Sequence, residues 1–219
     1  MADTVAFDVI GTLLSLDRAR AALASVGAPV DTLAVWFASS LRDYFAISHS
    51  GDYVPLAQVL RADLTRALKE VGIEPSEGVL GEVMGAMSEL EATPSAAEAF
   101  ERLAGAGFEI VTLTNGSAEF TASALDRVGL RDHVAHILSC DEIRVGKPHR
   151  SVYEMARNVS NGDVWMVAGH AWDIAGAARA GLRTAFVGGA EDYPDIFDAP
   201  EIVAPDLTEA AAAIVAAHR

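Results

Sequence analysis

This sequence is poor in cysteine and in basic residues. Its 219 residues include a single cysteine, Cys140, which excludes an internal disulfide and a metal site built from several cysteines. Lys and Arg number 16 against 31 Asp and Glu, for a net charge of −15. Because nonspecific nucleic-acid binding depends on a basic surface, this balance argues against a nucleic-acid partner. A small anionic ligand is still allowed, since one buried Lys or Arg can bind a carboxylate locally.

Long apolar runs are also missing. No stretch is apolar over the length of a membrane span, and no basic flank precedes an apolar segment near the N-terminus. We therefore expect no transmembrane helix, no signal peptide and no membrane partner, and a cytoplasmic location. Hydrophobic residues make up 51% of the chain and charged residues 21%. That balance is typical of an ordered globular protein, and the length suffices for one large domain or for a core with an insertion.

Residues 15–90 have the periodicity of helices and contain no convincing strand. Apolar side chains recur at helical spacing in four segments, which are separated by breaks containing glycine or proline. The predicted helices cover residues 16–26, 31–47, 56–71 and 78–90. The pattern predicts a helical block inserted early in the chain.

After residue 90, predicted strands alternate with helices, as is typical of a parallel sheet with helices on both faces. A helix is expected at residues 93–107, and strands at 108–114, 135–138, 164–168 and 184–187, with an edge strand at 202–203. The apolar run that starts at residue 4 completes the same sheet. We therefore predict an α/β fold, with a core domain at residues 1–14 and 91–219 and a helical cap domain at residues 15–90. Such a cap would shield the strand ends from water.

Polar side chains follow the ends of these predicted strands. They are Asp8 and Thr12, then Thr114 and Asn115, then Lys147 before a helix, and Asp173 after the strand at 164–168. The carboxyl ends of parallel strands meet at one edge, where open α/β folds bind ligands. A carboxylate there can attack carbon or phosphorus, and a nearby ammonium keeps it ionised. Each residue also has an ordinary interpretation: the two Asp residues as caps, the Lys as a solvated residue before a proline, and Cys140 as a buried strand-end residue rather than a nucleophile.

In order and spacing, four segments resemble the motifs of the haloacid dehalogenase superfamily. They are Asp8-Val-Ile-Gly-Thr12-Leu13, Leu113-Thr-Asn-Gly116, Lys147-Pro148 and Trp172-Asp173-Ile-Ala-Gly-Ala. The resemblance spans residues 5–187. It implies a Rossmann-like core, a nucleophilic aspartate and a helical cap inserted between the first and second motifs.

The superfamily contains phosphatases and dehalogenases. Its phosphatases carry a second Asp two residues after the nucleophile, as acid for the leaving group, and an acidic pair in the fourth motif for Mg²⁺. Here Ile10 stands at the first place, and Gly169-His170 stand where the earlier acidic residue would fall. Displacement of halide from carbon needs no acid, so the L-2-haloacid dehalogenases are the better match. A Mg²⁺-dependent phosphatase is the alternative, with Asp173 as one metal ligand.

The resemblance implies a role for each matching residue. Asp8 would attack the halogenated carbon, and Lys147 would keep Asp8 ionised. Asp173 would orient Lys147 and the water that hydrolyses the ester intermediate. Thr12, Thr114 and Asn115 would position the nucleophile, the substrate carboxylate or the halide. Tyr153 falls at the position of a functional tyrosine of these enzymes, and we expect it to contribute to substrate binding, although it could equally be a packing residue.

Departures from the family pattern concern substrate recognition. The dehalogenases have an Arg directly after a Trp in the second cap helix, whereas this chain reads Trp36-Phe37. They tend to have Ser and Asn where this chain has Ala168 and His170, and an aromatic residue where it has Ile10. We therefore expect Ile10, Phe37 and His170 to contribute to substrate binding with an altered specificity. His170 is either a substrate-facing donor and proton carrier or a polar residue that fills a loop.

The resulting expectation is a hydrolase that acts on a small-molecule substrate through an aspartyl ester and needs no cofactor. Mg²⁺ enters only under the phosphatase alternative, and a homodimer is compatible with the sequence. A third hypothesis is a weakly active or noncatalytic domain of the same fold that binds a small ligand or a partner.

Overall fold

The computed structural model of the protein describes residues 2–188 and 193–218. The chain forms two compact units, one made of Met1–Leu14 and Ala92–Arg219 and the other of Ser15–Glu91. The strands of the described residues are β1 (Thr4–Phe7), β2 (Leu14–Ser15), β3 (Glu91–Ala92), β4 (Glu109–Thr114), β5 (His136–Ser139), β6 (Val164–Ala168), β7 (Arg183–Val187) and β8 (Ile202–Ala204). The helices are α1 (Asp17–Ser25), α2 (Thr32–His49), α3 (Leu56–Glu70), α4 (Glu77–Ser88), α5 (Ala96–Gly105), α6 (Ala118–Arg127), α7 (Cys140–Ile143), α8 (Arg150–Val159), α9 (Ala171–Arg179) and α10 (Leu207–Ala217), with a 3-10 turn at Arg131–His133.

A six-stranded sheet forms the centre of the first unit, in the order β5-β4-β1-β6-β7-β8. Every neighbouring pair is parallel. The N-terminal strand β1 lies between β4 and β6, so the order of strands reverses beside it. Open α/β sheets bind ligands outside the carboxyl ends of their strands at such a point.

The side chains of β1 alternate between the two faces of the sheet, as expected for a strand. Val5 and Phe7 belong to an apolar cluster with side chains of α5 and α10. Ala6 belongs to a second cluster, on the opposite face, with side chains of α8 and α9. With helices on both faces the central strands β1 and β6 are buried along their whole length, which explains their nearly continuous apolar sequences.

The second unit consists of helices α1 to α4. The indole nitrogen of Trp36 on α2 donates to the carbonyl of Leu60 on α3 over 2.8 Å. Ser76 caps α4 by accepting a hydrogen bond from the backbone of Val79. No helix among the described residues is long and apolar enough to cross a membrane.

The predicted α/β fold with a parallel sheet is confirmed, and the predicted helices lie within a few residues of the observed ones. Two local details differ. The helix predicted from residue 93 begins at Ala96, because the Thr93 carbonyl closes a turn with the Ala96 amide. Cys140 is buried as predicted, but it opens the short helix α7, because Ser139 and Glu142 form a capping box there.

Candidate active site

Asp8 directly follows β1, and the central position of that strand places its carboxylate where the strand order reverses. Oδ1 accepts a hydrogen bond from the Lys147 ammonium over 2.9 Å, and Oδ2 accepts one from the Thr12 hydroxyl over 2.7 Å. The Asp8 side chain keeps 9% of its surface exposed. Both oxygens are held by side chains, so the capping interpretation of Asp8 is wrong.

Lys147 joins two carboxylates. Its ammonium contacts Asp8 and donates to Oδ2 of Asp173 over 2.7 Å, and its side chain is fully buried. The interpretation of Lys147 as a solvated residue before a proline is therefore wrong. Asp173 lies inside α9, whose N-cap residue is His170, so Asp173 does not cap this helix.

Tyr153 completes this buried chain of polar groups. Its hydroxyl donates to Oδ1 of Asp173 over 2.7 Å and lies 3.1 Å from the Asp173 carbonyl oxygen. Both Tyr153 and Asp173 have no exposed surface. The observed partner of Tyr153 is therefore Asp173, while its assignment to substrate binding stays a prediction.

The electrostatics favour an ionised Asp8. Burial opposes its charge, but the Lys147 ammonium, His170 and the Thr12 hydroxyl outweigh burial and lower the pKa of Asp8. Burial also opposes the charge of Lys147, and the two carboxylates outweigh it, so the pKa of Lys147 is raised. Burial and the charge of Asp8 raise the pKa of Asp173, and they outweigh the Lys147 ammonium, which lowers it. A carboxylate that stays ionised beside an ammonium suits a nucleophile.

The Thr12 hydroxyl is held from the far side by Gly169, whose backbone amide donates to Thr12 Oγ1 over 2.9 Å. A Cβ at position 169 would come within 3.0 Å of the Gly11 carbonyl oxygen and 3.3 Å of the Val187 carbonyl oxygen. Only glycine fits this approach without movement of the backbone. In the sequence, Gly169 stands where a metal-binding acid would fall, but its position directly after a strand also signals a close backbone approach.

Thr114 ends β4, and Asn115 follows it in the next loop. Asn115 Oδ1 accepts from the backbone amide of Lys147 over 2.9 Å and from the Cys140 thiol over 3.2 Å. Thr114 Oγ1 accepts from the Gly116 amide over 2.9 Å. Asn115 thus fixes the backbone of Lys147, and Thr114 fixes the turn of its own loop; the substrate contacts assigned to both residues stay predictions.

His170 and Ile10 lie beside the carboxylate of Asp8. Nε2 of His170 is 3.1 Å from the Ile10 carbonyl oxygen and 3.9 Å from Asp8 Oδ2. The imidazole stacks on Trp172, with ring centroids 5.5 Å apart and an angle of 15° between the planes. Ile10 is 9% exposed. His170 is therefore oriented toward the nucleophile by two contacts.

Phe37 and Gly176 lie on helices α2 and α9. Phe37 is buried on α2 in the helical unit, and its role in substrate binding stays a prediction. Gly176 on α9 was not singled out from the sequence, yet a Cβ there would come within 2.5 Å of the Tyr153 hydroxyl oxygen and 2.6 Å of Pro148 Cβ. Its lack of a side chain lets Tyr153 reach Asp173.

Within the described residues, no three His, Cys, Asp or Glu side chains are grouped so that they could hold a metal ion. The two carboxylates of the site, Asp8 and Asp173, are bridged by the Lys147 ammonium. The place of a further acidic ligand is taken by Gly169 and His170. This donor set does not fit a metal, and we derive no step through one.

Known proteins resemble this chain along most of its length. A family model described as a haloacid dehalogenase-like hydrolase matches residues 2–181. The (S)-2-haloacid dehalogenase 4A of Burkholderia cepacia is 31% identical to this chain over 199 residues, which cover 89% of this chain and 86% of that protein.

Solved structures share the fold. The L-2-haloacid dehalogenase from Xanthobacter autotrophicus with chloropropionic acid covalently bound superposes with a TM-score of 0.89 at 23% identity, over 98% of each chain. A dehalogenase solved with an intermediate complex gives a TM-score of 0.87 at 28% identity, over 95% of each chain.

Proposed function

This chain is a hydrolase that belongs to the haloacid dehalogenase-like family, and we propose that it displaces halide from a small 2-halocarboxylic acid through an ester formed on Asp8. One observation carries the proposal. Asp8 is a partly exposed carboxylate held by the Lys147 ammonium and the Thr12 hydroxyl, while the residue two positions on, Ile10, has no proton to give. This arrangement suits a leaving group that departs as a stable anion, since it needs no general acid.

In the first step an oxygen of Asp8 attacks the carbon that carries the halogen. A carbon–oxygen bond forms, the carbon–halogen bond breaks, and the halide leaves with the bonding electron pair. The negative charge of Asp8 is lost when the ester forms. The Lys147 ammonium is still paired with Asp173 at this stage, so no unpaired charge stays buried.

In the second step water attacks the carboxyl carbon of Asp8. The bond between that carbon and the substrate-derived oxygen breaks, and the 2-hydroxy acid leaves with an oxygen that came from Asp8. One proton of the water ends on the product hydroxyl, and the other is released to solvent as the Asp8 carboxylate returns. In every turnover Asp8 therefore gives one oxygen atom to the product and regains one from water.

The neighbouring residues hold the nucleophile in place. Lys147 and Thr12 fix the two oxygens of Asp8, and Asp173 fixes Lys147. Both oxygens of Asp173 already accept hydrogen bonds, from Lys147 and Tyr153. We therefore assign Asp173 mainly to the orientation of Lys147, and a water oriented by Asp173 would have to share one of these oxygens.

We propose further that the reaction uses no cofactor and that the helical unit of residues 15–91 acts as a cap. Relatives of this chain are named for 2-haloacids, which is the class of substrate we propose here. The family Arg is replaced by Phe37, so we expect a substrate preference different from that of the relatives.

The test of the mechanism combines halide release with isotope labelling. The protein is incubated with chloroacetate, (S)-2-chloropropionate and (S)-2-bromobutyrate, and free halide is measured. A single turnover in ¹⁸O-labelled water is expected to place the label in the peptide that contains Asp8, with unlabelled oxygen in the product. Label in the product hydroxyl instead would exclude the ester.

Asp8→Asn is expected to abolish halide release while circular dichroism and Tm stay close to those of the original protein. Asp126→Asn on α6, an exposed residue, serves as a control for the loss of one negative charge and is expected to keep full activity. An Asp8→Asn variant that still releases halide would refute a covalent role of this carboxylate.

A further inference from the structure

His170 is the residue beside Asp8 that the family resemblance does not explain. Its side chain follows β6 and keeps 21% of its surface exposed. Its carbonyl accepts hydrogen bonds from the amides of Asp173 and Ile174 at the start of α9. The stack on Trp172 fixes the plane of the ring. The backbone and the ring of His170 are therefore both held in place.

The contact with Ile10 fixes which ring nitrogen carries a hydrogen. Nε2 lies 3.1 Å from the Ile10 carbonyl oxygen, and a carbonyl oxygen can only accept. Nε2 is therefore a donor, in the neutral and in the protonated imidazole alike. The same N–H edge lies 3.9 Å from Asp8 Oδ2, so a small ring movement lets it share its hydrogen with that oxygen.

The two chemical steps change the charge on Asp8 in opposite directions. The carboxylate loses its negative charge when the ester forms, so donors around it oppose the first step. When Oδ1 forms the bond to the substrate carbon, Oδ2 is the carbonyl oxygen of the ester. Oδ2 then gains negative charge when water attacks, so donors to Oδ2 favour the second step. Thr12 supplies one such donor to Oδ2 over 2.7 Å.

We infer that His170 Nε2 is the second donor on Asp8 Oδ2 and that it promotes hydrolysis of the aspartyl ester rather than its formation. This inference rests on the proposed function. Lys147 contacts the other oxygen of Asp8, Oδ1. The two carboxylate oxygens of Asp173 already accept hydrogen bonds from Lys147 and Tyr153. Around Oδ2 the observed polar neighbours are Thr12 and His170.

The experiment measures the two steps separately in His170→Ala, with (S)-2-chloropropionate as the probe. The first turnover is expected to release one equivalent of chloride at a rate within about threefold of the original protein. Hydrolysis of the ester is expected to slow by roughly tenfold to a hundredfold. The intact mass of acid-quenched protein is then expected to show the propionate adduct during steady state.

His170→Gln provides the matched comparison, because the amide nitrogen of Gln can reach the position of the imidazole Nε2 and keeps a donor there. It is expected to recover part of the hydrolysis rate and to lose the adduct. His136→Gln changes a half-exposed histidine on β5 and is expected to leave both rates unchanged.

If His170→Ala slows both steps equally, or reaches steady state without an adduct, the proposed role of His170 is wrong. Chloride release by the unsubstituted protein would in that case still support the proposed function. If the unsubstituted protein releases no chloride and forms no adduct, the proposed function is wrong, and the role of His170 with it.

Discussion

The phenol of Tyr153 donates a hydrogen bond to Asp173 over 2.7 Å, and neither side chain has any exposed surface. The other oxygen of Asp173 holds the Lys147 ammonium, which in turn contacts Asp8. Burial and the charge of Asp173 raise the pKa of Tyr153 well above its ordinary value, so the phenol keeps its hydrogen at neutral pH. The geometry is that of a positioning residue acting on Lys147 through Asp173.

Tyr153→Phe removes this donor and leaves Asp173 Oδ1 buried without it. Loss of a donor to a buried polar group costs about 1–3 kcal/mol, which urea denaturation would measure as a lower free energy of unfolding. For a positioning residue we expect kcat to fall while KM changes little. A rise in KM with unchanged stability would instead support a role of Tyr153 in substrate binding.

Lys147→Met leaves two buried carboxylates without their cation. Breaking a buried ion pair in this way typically costs about 3–5 kcal/mol, so we expect a large loss in the free energy of unfolding together with loss of activity. Without Lys147 the pKa of Asp8 in the folded state rises above that of the unfolded chain, and the pKa of Asp173, which is already raised, rises further. Protonation then favours folding, so the deficit relative to the original protein should be larger at pH 7 than at pH 4. A deficit independent of pH would contradict this account.

Gly176→Ala tests the close approach of α9 to Tyr153. The new Cβ would lie within 2.5 Å of the Tyr153 hydroxyl oxygen and 2.6 Å of Pro148 Cβ. We expect a loss of about 1–3 kcal/mol in the free energy of unfolding and a lower kcat, because the phenol must move off Asp173. Gly85→Ala on α4, where nothing lies within 4 Å, is the control and should stabilise the protein by about 0.5–1 kcal/mol. Equal effects of both substitutions would argue against the contact.

Cys140 gives a prediction for alkaline pH. Burial raises the pKa of its thiol to about 12, so the folded protein keeps this proton at a pH where the unfolded chain, with a thiol pKa of about 8.5, releases it. The contribution of Cys140 to stability is therefore complete below about pH 8.5 and is lost as the pH rises toward about 12. We expect the free energy of unfolding of the original protein to fall relative to that of Cys140→Ala across this range. A constant difference between the two proteins would refute the shifted pKa.

Phe37→Arg introduces the residue that the family resemblance implies directly after Trp36 on α2. If its loss altered specificity, the variant should turn over small 2-halocarboxylates faster than the original protein does. The measurement is kcat/KM for chloroacetate and (S)-2-chloropropionate. Lys69→Arg on α3, which keeps the charge of the helical unit, serves as the control. A rate that stays the same or falls would show that position 37 does not set the preference.

Much of the fold followed from the sequence because its signals are local. Short segments are enough to indicate buried strands flanked by glycine and helices with apolar spacing. The family membership confirms the resemblance drawn from the four motifs. The expectation of a hydrolase is confirmed in the same way. Motif spacing also identified Asp8, Lys147 and Asp173, which the structure brings into direct contact.

The sequence could not supply what depends on distances between remote segments. Lys147 is separated from Asp8 by most of the chain, and only the folded sheet decides that its ammonium is buried between two carboxylates rather than solvated. The close contacts at Gly169 and Gly176 could not be predicted, because the atoms that exclude a side chain there come from other elements.

The sequence by itself therefore determined the α/β pattern, the four motifs and the absence of an acid at Ile10, since these are properties of residue type and spacing. Tertiary structure alone decided the partners of each polar group: that Tyr153 is hydrogen-bonded to Asp173, and that His170 Nε2 lies 3.1 Å from the Ile10 carbonyl oxygen and 3.9 Å from Asp8 Oδ2. The physical reason is that hydrogen bonds and ion pairs act over about 3–4 Å. Groups from remote segments come within that distance only when the strands, loops and helices are packed together.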